Sequence, residues 1–493
     1  MANERGSTSF ERKTYPESFR FKSVSLYKAG DDFGKPYVNL HDGQNGMLVS
    51  FQYSEDIMWP SYGGQMVVVD NDENLISSMP IQGFERVVVE IDDLTDEGES
   101  AGIYTIEFRV HAVKNRVNTR GKQVYTLGLI STEGLLNEGI RVNSIQTGNT
   151  TTVVENLLTK YLKVPASKIS SEASITAIKL LPTKKSPYSI IRSLLPRTIS
   201  EKTGVGIKSG SSSGSVGADN ITESDVNPQT AEKATGTAGY LFFQTNRGFN
   251  FKSIDRLVSD EKSQFEGDPV KGTFYYQAAK VGPQSLYKIQ EVIYDTEIDM
   301  FKKLRQGAYA SICCYFNINT GEYEERVYNL KDMWKDMAHL GSQDKLPIGQ
   351  ESLSKYPSRV MSTVINHENW YNDTKVASNE DKHGGDGENT FPDFQKNYLS
   401  QGIARAGILF NQKLTISITG HMELCAGDKI EIRIPEAMSE IKRDDAWDPE
   451  HSGTYLIKNL NHQFMTGATP KFHTVLELVR DSYGIKEKES QVT

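Results

Sequence analysis

The stretch Gly239–Leu257, GYLFFQTNRGFNFKSIDRL, constrains this chain more than any other. Tyr240–Phe243 is an apolar and aromatic run suited to a buried strand. Asn246-Arg247-Gly248 tolerates a left-handed turn, and Phe249-Asn250-Phe251 resumes the alternation of a second strand. Ser253–Leu257 reads as a short polar turn. Most of the chain follows this grammar of short strands and turn residues with few helices. It announces a scaffold and leads to no catalytic apparatus.

From about Phe19 to Asn143 the period is two. Gly46–Tyr53, Gln65–Asp70, Phe84–Ile91, Gly102–Val113 and Lys122–Ile130 are strand runs divided by Gly, Asn and Asp turns, which predicts a barrel or sandwich. Gly102–Val113 sets Ile103, Thr105, Glu107, Arg109 and His111 on one face. Strand patterning returns at Gly272–Ala279, Tyr287–Asp295 and Ala308–Asn317. It continues at Lys413–Thr419, Lys429–Ile434, Tyr455–Phe464 and His473–Arg480. In Lys429–Ile434 the alternation places Ile430, Ile432 and Ile434 inside and Glu431 and Arg433 outside.

Between the two β blocks the period changes. Thr152–Glu155 fits a capping box, and Val153, Val154, Leu157, Leu158, Tyr161 and Leu162 form a helical stripe closed by Pro165. Ser186-Pro187 opens a second helix with Ile190, Ile191, Leu194 and Leu195 on its apolar face, up to Pro196. With the Tyr240–Phe251 hairpin these make a small α/β domain. Thr203–Gly239 and Asp373–Asn389 are polar and Gly/Ser/Thr-rich or charged, and read as mobile loops.

Composition narrows the function. A chain of 493 residues has room for two to four domains with buried cores. Its longest apolar runs fall far short of a membrane span of roughly 18 residues. The polar N-terminus predicts no secretory signal. Three cysteines, Cys313, Cys314 and Cys425, make no disulfide framework, so a reducing cytoplasm is the expected place of synthesis and assembly. The net charge of −9 argues against a nonspecific nucleic-acid binder.

Three groups of residues carry a resemblance. The first is Phe51–Ile57 with the Gln65–Asp70 strand and Pro80–Glu85. The second is Ser186-Pro187 with its helix and GYLFFQTNRGFNFKSIDRL. The third is Leu424–Pro435 with Ser452–Ile457 and the terminal HTVLELVRD. Their order and spacing, from Phe19 to Asp481, resemble the baseplate hub proteins of contractile-tailed bacteriophages, which are related to the hub part of type VI secretion spike proteins.

The resemblance implies an α+β, mostly β chain with two tube-forming β-barrel domains and a small α/β domain with long loop insertions. The implied division is a first barrel over 19–145 and an α/β domain over 146–260 with a flexible insertion 203–239. A second barrel is split between 261–335 and 400–482, and 336–399 is an insertion, partly loop. It further implies a homotrimer whose six barrels form a pseudo-sixfold ring, joining the tail tube to the central spike in the virion baseplate. Its implied partners are the tail tube protein, the spike protein, other baseplate or wedge proteins and the tape-measure protein. DNA would pass through the channel without specific binding. A β-rich receptor- or carbohydrate-binding tail module would instead favour clustered exposed aromatics. A hub-associated peptidoglycan hydrolase would need an added α-rich lytic domain.

No residue pattern asks for catalysis, a cofactor or a metal. His451, His462 and His473 recur near the C-terminus on separate strands or loops, which disfavours convergence on one ion. His383-Gly384-Gly385-Asp386 reads as a solvated loop. Cys313 and Cys314 point to opposite faces of a strand and cannot grip one metal. Glu55, Asp56, Glu107, Glu423 and Asp428 could form an acid/base pair, yet among 64 acidic residues nothing selects a couple. There is no G-x-x-x-x-G-K-[ST] and no H-E-x-x-H. Gly427-Asp428 reads as a turn, the Val153–Leu162 stripe as packing on its own sheet, and Trp59-Pro60 and Phe391-Pro392 as loop aromatics.

Overall fold

The structure is a computed structural model that describes residues 15–485, apart from 16–17, 31–33, 42–45, 72–79, 96–97, 120–121, 175, 201–236, 260–269, 277–284, 296–298, 318–322, 344, 366–389, 437–446 and 468. Nearly all of the Thr203–Gly239 segment, all of Asp373–Asn389 and the His383–Asp386 loop therefore lie outside the described residues.

The first block closes into a barrel. Its strands are β1 (Phe19–Tyr27), β2 (Val38–Asn39), β3 (Leu48–Asp56), β4 (Gly63–Asn71), β5 (Arg86–Leu94), β6 (Ser100–Thr119) and β7 (Lys122–Ile130). The order is β1-β5-β6-β7-β4-β3, antiparallel throughout. Leu40, just past β2, closes the ring: its N–H donates to Val24 O on β1, and its carbonyl accepts from Met47 and Leu48 at the head of β3. Alternation decides what is inside: Val87, Val89 and Ile91 of β5 and Ile106, Phe108 and Val110 of β6 are buried, while Ile103 and His111 face out.

The middle region holds α1 (Thr132–Gly139), β8 (Gln146–Asn149), α2 (Thr150–Asn156, extended to Tyr161 by a wider turn), β9 (Ile169–Ser171), β10 (Ala177–Leu180), α3 (Pro187–Leu194), β11 (Tyr240–Thr245), β12 (Gly248–Ser253) and α4 (Ile254–Val258). The α2 stripe and Ile190, Ile191 and Leu194 of α3 pack on Tyr240, Phe242, Phe249 and Phe251 of the hairpin. The capping box does not form. Asn149 is the cap, and Glu155 reaches away to accept from the Ser171 hydroxyl on β9. Ser253–Leu257 is not a turn either: the Ser253 hydroxyl accepts from the Arg256 N–H at 3.1 Å and starts α4.

The second barrel is built from β13 (Val270–Tyr276) and β14 (Lys288–Tyr294), then, after an excursion, β18 (Gln412–Thr419), β19 (Lys429–Arg433), β20 (Gly453–Met465) and β21 (Lys471–Arg480). Its order, β13-β19-β20-β21-β18-β14, closes through a parallel β13–β14 pairing. Taken in chain order, this is the strand order of the first barrel. Only β13 differs in sense, running parallel to β19 where β1 runs antiparallel to β5. Ile430, Ile432 and Ile434 are in the core as read, but Glu431 is buried too, accepting from the Thr273 hydroxyl at 2.9 Å.

The excursion carries α5 (Met300–Gln306), β15 (Ala310–Asn317), β16 (Tyr323–Asn329), α6 (Leu330–Met333), α7 (Ile348–Leu353), β17 (Arg359–Ile365) and the 20-residue α8 (Thr390–Leu409). Ala308–Asn317 is thus not a barrel strand: β15 is the centre of a separate sheet, β16-β15-β17. Phe391-Pro392 lies in the first turn of α8 rather than in a loop. Tyr309, Tyr328, Leu330, Met333 and Trp334 pack there with Ala404 and Ile408 of α8.

Candidate functional site

The feature that organises the molecule is a seam. Strand β3 of the first barrel pairs antiparallel with β20 of the second, from Asp56 against Asn459 to Ser50 against Met465. Among the described residues this joins both barrels into one sheet of thirteen strands. The two faces of the seam differ because side chains alternate. Inward, Phe51 opposes and stacks on Phe464, with ring centroids 5.7 Å apart, and Tyr53 opposes and stacks on His462. Phe19 and Phe21 of the first barrel and Phe472 of the second complete the cluster; Phe464 and Phe472 stack at 4.2 Å. One hydrophobic core therefore serves both barrels. Outward, the middle of the seam shows Gln52, Ser54, Gln65, Asn461 and Gln463, polar and uncharged, with the exposed Met465 opposite Ser50 at one end and the ion pairs of Lys458 with Asp56 and Glu477 at the other.

Two buried polar junctions fix the middle region onto this double barrel. The first is at the tip of the β11–β12 hairpin. Glu55, the last inward residue of β3, is buried and accepts from the Tyr53 hydroxyl, from the Asn246 N–H at 2.6 Å and from the Ala426 N–H at 2.8 Å. Three separate parts of the chain thus meet at one carboxyl group. Burial pushes that carboxyl up to about 7, against the lowering influence of its three donors and of Arg247. Beside it, Arg247 grips Asp428 with two hydrogen bonds, 2.8 and 3.0 Å, and also donates to the Glu423 carbonyl. Asp428 accepts in addition from the Cys425 N–H. Gly248 sits at φ +147°, and a Cβ there would lie 2.3 Å from the Lys168 carbonyl oxygen, so only glycine fits this corner.

The second junction lies on α8. Arg405 is fully buried between Asp481, 2.7 Å from its Nη1, and Asp255, 3.0 Å from its Nε, and it also donates to the Ala338 carbonyl. His339 approaches Asp481 at 3.0 Å, and the Leu340 N–H donates to its other oxygen. Burial raises the Asp481 carboxyl, but Arg405 and His339 outweigh it and hold the group well below the usual carboxylate range. α8 approaches closely because Gly402 faces Gly239, while Gln401 accepts from the Ala238 N–H at 3.0 Å.

The residues weighed as chemistry turn out to be spread through this framework. His462 is buried against Tyr53 with Nδ1 2.8 Å from the Thr474 hydroxyl, and burial and His421 bring it down to about 3. His473 is opposite Gln463, on the outer face, and His451 meets Asp448 at 2.7 Å, so the three histidines do not converge. Among the described residues no three His, Cys, Asp or Glu side chains are grouped to hold a metal. Cys313 is buried beside Ser400, whereas Cys314 is on the opposite face of β15. Asp56 pairs with Lys458 at 3.0 Å and Glu107 with Arg86 at 2.8 Å. Trp59 is exposed. Among the described residues no helix is long and apolar enough to cross a membrane.

With this geometry in view, comparison with known proteins gives three likenesses. The chain is similar in structure to tail proteins. One is from Neisseria meningitidis, at 10% identity, covering 94% of this chain and 97% of that one with a TM-score of 0.48. Another is the 43 kDa tail protein of prophage MuSo2 from Shewanella oneidensis, at 10% identity, covering 93% and 98% with a TM-score of 0.45. The third is an E. coli component of the type VI secretion system, at 8% identity, covering 95% and 79% with a TM-score of 0.38. No protein-family description and no curated protein matches the sequence.

Asp255, His339, Arg405 and Asp481 were not singled out from the sequence. Their only signal is an arginine amid the small and apolar residues of GIARAGIL, a stretch in which Ala404, Ile408 and Leu409 are buried with it. Glu55 and Asp428 were noticed, but as candidate acids rather than as anchors.

Proposed function

We propose that this chain is the structural hub of a contractile phage tail baseplate. Three copies would set six barrels in a pseudo-sixfold ring between a sixfold tail tube and a threefold central spike, with DNA passing through the bore. The observation that carries the reading is the repeated strand order, β1-β5-β6-β7-β4-β3 and β13-β19-β20-β21-β18-β14, fused edge to edge by β3–β20. A single polypeptide with two like barrels side by side turns threefold symmetry into an approximate sixfold one. The uncharged middle of the seam's outer face suits a wall past which a polyanion slides, and Lys458 at its end is neutralised by Asp56 and Glu477, which leaves little there to release phosphate counterions. The buried junctions at Glu55 and Arg405 serve a rigid frame, each holding separate parts of the chain in one arrangement.

The partners proposed are further copies of the chain, the tube and spike proteins, other baseplate or wedge proteins and the tape-measure protein. The site proposed is the virion baseplate, after assembly in the host cytoplasm. Light scattering and electron microscopy of the purified chain test the reading. A trimer with a central hole is expected; a monomer that binds saccharides, or one that clears cell walls, would overturn it.

A further inference from the structure

The sheet of the excursion has two unlike faces. On the inner one Cys313 and Tyr315 of β15 are buried, with Leu399 of α8 packed against them and Ser400 beside Cys313 at 2.8 Å. The register on both sides of β15 sets the outer face. Ile312 lies between Val327 of β16 and Val360 of β17, Cys314 between Glu325 and Ser362, and Phe316 between Tyr323 and Val364. Two apolar rows therefore flank one polar row on the same side of the sheet. Ile312 and Cys314 are half-buried, and the other seven side chains are exposed. Strands β15 and β17 run parallel, and parallel strands are ordinarily covered on both faces. An outer face this apolar and this bare is out of keeping with that pairing.

We propose that this face docks one amphipathic helix of a partner protein, laid along the strands. Size selects that occupant. Three strands of seven or eight residues offer a face about 23 Å long and about 14 Å wide, roughly 320 Å². A stable pair of copies needs about 800 Å² from each, so a second copy seated here alone would not hold. A helix about 10 Å across fits the width. The two apolar rows stand four residues apart, about 13 Å. Helix residues i and i+7 share one side about 11 Å apart, and long apolar side chains make up the difference. The middle of the helix then passes over Cys314 and Ser362, which are small enough to let it approach. Charge fixes the remaining feature. Glu325 accepts from the Tyr323 hydroxyl at the β16 side of the face. A helix that covered this carboxylate without a cation would strip it of water. The partner helix therefore carries Lys or Arg at i+3 or i+4, with apolar residues at i and i+7. With α8 on the other side, the sheet becomes the middle layer of three.

The surface lies outside both barrels, so it stands or falls apart from the hub reading. The test uses the full chain as bait for a displayed library of random peptides about 16 residues long, or four helical turns. Enriched peptides should carry apolar residues at i and i+7 with Lys or Arg between them. Val360→Glu and Val364→Glu, both at exposed positions, should each weaken their binding by about tenfold or more. With Glu325→Lys as bait, the enriched peptides should carry Asp or Glu in place of the cation. This variant keeps both apolar rows, so a changed preference reports the contact and not the loss of the sheet. Peptides that alternate with period two would overturn the inference in favour of strand addition at the edge of β16 or β17. Peptides that bind Val360→Glu and Val364→Glu as tightly as wild type would overturn it, and so would a library with no enrichment. An oligomer whose mass falls on Val360→Glu would overturn it in favour of a second copy on this face.

Discussion

At the scale of single residues, the informative groups are those whose charge is out of its ordinary setting. Arg405 is enclosed by Asp255 and Asp481, so Arg405→Met would leave two buried carboxyl groups without their cation. A loss of about 3–5 kcal/mol in unfolding free energy is expected, read by urea titration. Glu55 makes a subtler case. Its folded-state value lies above the ordinary one, so it adds stability below about pH 4.5 that is lost as the pH rises through about 7. His462 works in the opposite sense. Held neutral down to about 3, it adds stability above about pH 6.5 that is lost as the pH falls. Because the two slopes oppose, the measurement is a difference: wild type against Glu55→Gln, by thermal melting from pH 5 to 8. The wild type should lose ground relative to the variant as the pH rises, by up to about 3 kcal/mol over the whole window. A constant difference would mean that Glu55 does not titrate there.

At the scale of elements, the hairpin β11–β12 shows how much of the site could be read in advance. Its strands and turn are legible because both apolar alternation and turn chemistry are local. What the tip does is not local: Asn246 and Arg247 meet residues far away in the chain, Glu55, Glu423 and Asp428, and no periodicity encodes that meeting. The same division explains the other differences. Most barrel strands fall where alternation places them, but Ala308–Asn317 has equal strand character and joins a separate sheet, since pairing partners are chosen by topology. Helix α8 is obscured by Gly402 and Gly407 and by polar residues that its buried position requires to be small or bonded. At the tip itself, Arg247→Ala should cost about 1–3 kcal/mol, because Asp428 stays buried with only the Cys425 N–H as its remaining donor among those described. Limited proteolysis should then cut the hairpin sooner than in the wild type.

At the scale of the whole molecule, the shared aromatic cluster determines whether two barrels behave as two domains. Separate cores would melt independently, and each junction would act as a hinge between units with relative freedom. Here Phe19, Phe21 and Phe51 come from one barrel and Phe464 and Phe472 from the other, and all five are buried in a single core that straddles the paired strands. Removing one ring from its centre therefore withdraws contacts from both barrels at once. Phe464→Ala should cost about 3–5 kcal/mol, in the range for a large ring replaced by a methyl group. The form of the transition matters more than its size. Calorimetry of the wild type should give one cooperative endotherm for the double barrel, and Phe464→Ala should lower its temperature without splitting it, because the backbone pairing of β3 with β20 survives the substitution. Two endotherms in the wild type would mean that the strand pairing couples the barrels weakly.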